Sequence, residues 1–136
     1  MADIRNIELN TVSKVVTSDT SAINIGGQVP TGMKRWITFL MVDTNTARKA
    51  SDCGLYLASV GVSNPTRASI VATGNRKDYI PLVGTQLSRS NSPRPLMKPS
   101  SGPNPDKPLF SIAGGKWLGV YASKTTANVF VQYFDE

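Results

Sequence analysis

Ile7 and Leu9 alternate with Asn6, Glu8 and Asn10, and β-branched residues mix with polar ones from Ile4 to Val16. A period of two marks a strand with one buried face. "SAINIGG" is a short strand ending at a glycine pair. Pro30-Thr31-Gly32 has turn chemistry and feeds a strand through Thr38 to Val42. Strict alternation sets Trp36, Leu40 and Val42 on one face of it against Ile37, Phe39 and Met41 on the other. Apolar residues on both faces predict a central strand covered on both sides.

"NTARKASD" is a polar loop, "CGLYLASVGV" the next strand and "SNPTR" a turn. "ASIVAT" is short and β-branched, and "GNRKD" is another turn. "YIPLVGTQL" suits an edge strand, because Pro81 cannot donate to a ladder. After a proline-rich stretch come a strand, a Gly114-Gly115 turn, the strand "KWLGVYAS", a turn over Lys124 to Ala127, and "NVFVQYF". In the last strand Val129, Val131 and Tyr133 share one face, and Phe130, Gln132 and Phe134 the other. Proline and glycine recur too often for an amphipathic helix of ordinary length. The pattern predicts an all-β protein: a single antiparallel β-sandwich, jelly-roll-like, of about eight strands with a long Pro-rich loop.

A chain of 136 residues fits one domain, taken here as 1–136. Hydrophobic residues make up 40%, enough for one core, while charged residues are 18%, below the usual quarter. The net charge of +6 admits nucleic acid, an anionic membrane or an acidic protein as partner, without choosing among them. The single cysteine, Cys53, excludes an intrachain disulfide and reads as a small buried hydrophobe. No apolar run is long enough for a transmembrane helix. The N-terminus lacks the apolar region of a signal peptide, so folding in a cytoplasm is expected.

Histidine is absent, which removes the Ser-His-Asp and Cys-His arrangements and the usual zinc sites. No phosphate-binding glycine loop or metalloprotease motif occurs. Asp43, Asp52 and Asp78 are the nearest approach to a catalytic carboxylate pair, and turn chemistry accounts for all of them. The expectation is a non-enzymatic protein with no cofactor and no metal. Basic residues gather at Lys34-Arg35, Arg48-Lys49, Arg67 and Arg76-Lys77. Trp36, Phe39, Trp117, Tyr121, Phe130 and Phe134 fall inside strands, where core packing is their expected use.

"PTGMKRWITFLMVDTNTA" followed by "GLYLASV", and "LFSIAGGKWLGVYASKTTANVFVQYFDE", together resemble a module of phage structural proteins. They cover about two thirds of the chain. The module is similar to small β-sandwich domains of capsid decoration proteins, head fibres and tail fibres. The resemblance carries no catalytic residue. It implies a bacteriophage virion component, assembled in the host cytoplasm, with copies of itself and a major capsid or other virion protein as partners. A homo-oligomer is expected, a trimer favoured, with no membrane partner. The rival readings are a carbohydrate-binding module and a single-stranded nucleic-acid binder.

The proline-rich stretch lies outside that resemblance. Six of the nine prolines fall between Leu87 and Phe110. Such density favours extended polyproline-type backbone that loses little entropy on docking. Residues 88–108 are read as an extended basic arm that packs on a neighbouring subunit. Leu96 and Met97 would be its apolar anchors, and Arg89, Arg94, Lys98 and Lys107 its charged flanks.

Overall fold

The computed structural model describes residues 9–16, 22–44, 54–81, 96–104, 106–123 and 127–136. Cys53, Asp52, Arg48 and Lys49 lie outside them, as do Arg89 and Arg94. The described strands are β1 (Asn10–Val16), β2 (Ala22–Ile25), β3 (Lys34–Thr44), β4 (Gly54–Val60), β5 (Arg76–Pro81), β6 (Leu96–Lys98), β7 (Phe110–Ala113), β8 (Trp117–Ser123) and β9 (Ala127–Asp135). A short helix, α1 (Arg67–Val71), sits between β4 and β5.

One sheet runs β1-β9-β3-β6, with β7 also on β3, and the other runs β2-β8-β4-β5. Every ladder is antiparallel. β6 pairs with Leu40–Val42 and β7 with Lys34–Ile37, so the two lie end to end along β3. They share one strand position, so nine strands fill eight places. The resulting order is that of a jelly roll, a double sheet made of two Greek keys.

The core lies between the sheets. Ile37, Leu40, Val42, Ile112, Val129 and Val131 of the first sheet meet Ile25, Leu55, Leu57, Leu118 and Val120 of the second. Each such side chain contributes roughly 1.5–3 kcal/mol when buried. Thr38 breaks the simple alternation in β3. The register against β9 shifts between Ile37 and Phe39, which is a β-bulge. Arg35 and Ile37 point inward before the bulge, and Leu40 and Val42 after it. Trp36, Phe39 and Met41 therefore share the outer face. This corrects the grouping of Trp36 with Leu40 and Val42, because one extra residue exchanges the two faces. The Thr38 hydroxyl, wholly buried, donates to the Gln132 carbonyl at 3.0 Å.

Turns fall where the local chemistry requires them. Met33 N–H donates to the Pro30 carbonyl at 3.1 Å, and Gly32 holds φ at 85°. That positive φ is strained for other residues. β5 is the edge of its sheet and carries Pro81, as expected of an edge strand. It begins at Arg76, so Arg76–Asp78 of "GNRKD" extend the strand and are not part of the turn, and 82–87 lie outside the described residues. α1 was not expected from "ASIVAT". Its N-cap overrides the β-branched residues: Ser69 N–H donates to Thr66 Oγ1 at 3.2 Å, and Thr66 N–H donates to Ser69 Oγ at 3.0 Å. Ile70, fully buried, then joins Ala58, Val60 and Tyr121 in a second apolar cluster. Among the described residues no helix is long and apolar enough to cross a membrane.

Candidate functional site

The described part of the proline-rich arm begins as a strand. Leu96, Met97 and Lys98 stand opposite Val42, Met41 and Leu40. β6 is an edge strand, where the Pro99 that follows breaks no ladder. Leu96 shares the inner face with Val42 and packs against the core. Met97 shares the outer face with Met41 and is 46% exposed. Lys98 reaches across the side of the sandwich to β5, where its Nζ donates to both carboxylate oxygens of Asp78 at 2.7 and 3.0 Å. Lys107 is exposed in the loop before β7, and its N–H donates to the Asn104 carbonyl at 3.0 Å. The fold thus brings together Leu96, Met97 and Lys98, with Lys107 in a separate loop.

β5 and β6 are edge strands of opposite sheets, and a cleft of about 240 Å³ lies between them. Tyr79, Ile80, Pro81, Leu96, Met97 and Lys98 line it. Among the described residues the lining is mainly apolar, and its one cation is already neutralised by Asp78. Such a cleft suits an apolar side chain of a partner. Asp78, one of the carboxylates that the sequence offered for a catalytic pair, serves this ion pair, while Asp52 lies outside the described residues.

The outer face of the second sheet holds a row of aromatics across β5, β4 and β8. The Tyr56 ring lies 4.6 Å from Tyr79 and 6.1 Å from Tyr121. Arg76 stands 5.6 Å from the Tyr56 ring centre and Arg67 5.5 Å from that of Tyr121. A carbohydrate-binding face requires such a row, and Tyr56 and Tyr79 were not singled out in the sequence. Their signal was Tyr56 in "GLYLASV" and Tyr79 in "KDYIP", which the antiparallel register sets side by side. This row is not an exposed platform, however. Tyr121 is only 2% exposed and packs with Ile70 of α1.

The Lys34-Arg35 doublet divides between surface and interior. Arg35 is 4% exposed. Its guanidinium lies 4.1 Å from the Tyr133 ring centre, and its Nη1 donates to the Gly27 carbonyl at 2.8 Å. Burial alone would lower its pKa, but the hydrogen bond and charge of Asp135 outweigh this and leave it raised. Phe39, Tyr121 and Phe134 are buried, as core packing predicts, while Trp36, Trp117 and Phe130 are half-buried. Among the described residues no group of His, Cys, Asp and Glu is placed to hold a metal ion. The chain matches no protein-family model, and no curated protein or solved structure is significantly similar to it.

Proposed function

We propose that the chain is a non-enzymatic structural subunit of a bacteriophage virion, joined to its neighbours through the β5–β6 cleft. The observation that carries this reading is the cleft itself, neutral and mainly apolar among the described residues of a protein of net charge +6, with Met97 exposed in its lining. A contact there buries apolar surface without stranding a charge, since Lys98 already has Asp78. The occupant is a second copy of the chain, which offers exposed Val15, Val62 and Met97 as side chains of suitable size. Jelly rolls build viral capsids and lectin domains alike. The resemblance in β3, β4 and β7–β9 favours the former, and the buried Tyr121 speaks against an exposed sugar platform.

Light scattering on the purified chain tests the contact. A homo-oligomer, a trimer favoured, is expected, and Met97→Glu is expected to yield monomers with an unchanged circular dichroism spectrum. A wild-type protein that stays monomeric at high concentration overturns it. Mass spectrometry of density-purified phage particles tests the virion assignment, which fails if the chain is recovered only outside the particle band.

A further inference from the structure

A second cleft, of about 350 Å³, shares no residue with the first. Lys34, Lys77 and Lys116 line it together with Ser59, Asn75 and Ser111. These come from β3, β5, the turn before β8, β4, the turn before β5, and β7. Among the described residues the lining contains three cations, two hydroxyls and an amide, and no carboxylate. Asp78 and Asp135 are engaged by Lys98 and Arg35. Glu136 exchanges backbone hydrogen bonds with Lys34, on the β9 side of β3, and does not line the cleft. Asn75 is fixed in place: its Nδ2 donates to the Ser69 carbonyl at 2.8 Å, its N–H donates to Ala72 at 3.0 Å, and its carbonyl accepts from Ser59 at 2.9 Å.

A flat side chain flanks these cations. Lys34 Nζ lies 5.3 Å from the ring centre of Trp36, which stands opposite Ser111 in the ladder. On the other flank Lys77 is preceded on β5 by Arg76, a further exposed cation. Lysines spread across a groove match a chain of anions better than a single one. An aromatic face beside them matches a planar group carried between those anions.

We infer that the Lys34–Lys77–Lys116 cleft binds the phosphodiester backbone of single-stranded nucleic acid, with a base stacked on Trp36. Three phosphate contacts give a log–log salt slope of about −2, so a fourfold rise in salt weakens binding about twentyfold.

The test is fluorescence anisotropy of a labelled oligothymidylate of about 12 nucleotides, a typical site size for single-strand grooves. Saturable binding with that salt slope is expected. Lys77→Gln with Lys116→Gln weakens it roughly tenfold, while Lys14→Gln with Lys107→Gln, the same charge change elsewhere, alters it less than about twofold. Trp36→Leu weakens it about tenfold with an unchanged circular dichroism spectrum. Equal losses in the two lysine pairs mean attraction to overall charge and overturn the assignment. So does tighter binding of a DNA duplex or a heparin fragment, or no saturable binding to the oligothymidylate.

Discussion

Arg35 holds both carboxylate oxygens of Asp135, through Nε at 2.7 Å and Nη2 at 2.9 Å, and so ties the start of β3 to the end of β9. The guanidinium is buried, so its charge depends on this partner. Asp135→Asn is expected to cost about 3 kcal/mol, since a buried charge is left without its counterion. Urea denaturation measures it. Because the Arg35 pKa is raised above its ordinary value, its contribution is complete below that ordinary value and is lost only as pH rises through the folded pKa. Stability from this group is therefore flat across the neutral range. A loss of the pair's coupling energy on moving from neutral to mildly alkaline pH, in a double-mutant cycle, contradicts this.

Lys98 and Leu96, two residues apart on β6, differ in what they hold. The Lys98 side chain is 47% exposed, and its pair with Asp78 is screened by solvent. Lys98→Ala is expected to cost less than about 1 kcal/mol. Leu96 packs on the core, and Leu96→Ser is expected to cost about 2–3 kcal/mol and to impair folding whether or not a partner binds. Assembly defects are therefore interpretable at Met97 and not at Leu96. Comparable losses at Leu96 and Lys98 in chemical denaturation contradict this division.

The Tyr79 ring lies directly over Gly54, where an added Cβ would overlap it. Gly54→Ala is expected to displace the ring, loosen its packing on Tyr56 and cost about 2 kcal/mol. Near-ultraviolet circular dichroism reports the change, and an unaltered tyrosine signal refutes it.

α1 depends on its cap. Thr66→Ala removes the side-chain acceptor of the Ser69 N–H and is expected to cost about 1 kcal/mol. Ile70→Ala is expected to cost about 2–4 kcal/mol, because a fully buried side chain leaves a cavity between the helix and β4. Thermal unfolding should rank the two variants in that order.

Local chemistry determined much of this fold. The β-branched and polar mix through Val16, Pro30-Gly32, the Gly114-Gly115 turn and Pro81 at an edge are short-range signals. β1, the two turns and the edge of β5 lie where they point, while the alternation of Ile7 and Leu9 falls mostly outside the described residues. The all-β sandwich followed from them, and so did most strand positions, though β5 begins inside the stretch read as the "GNRKD" turn. The faces of β3 did not, because the bulge at Thr38 exists only in pairing with β9. Nor did α1, whose cap outweighed a β-branched stretch. The proline-rich segment read as an arm on composition alone, yet Leu96–Lys98 add a strand to β3. Arg35 and Asp135 are 100 residues apart, and no local pattern distinguishes that buried arginine from its exposed neighbour Lys34. The two clefts likewise join edge strands and turns that meet only when the sheets close. The sequence alone specified which segments extend and where they turn, because those preferences are local. The tertiary structure decided which side chains face inward, pair and converge, because register and sheet packing bring together residues far apart along the chain.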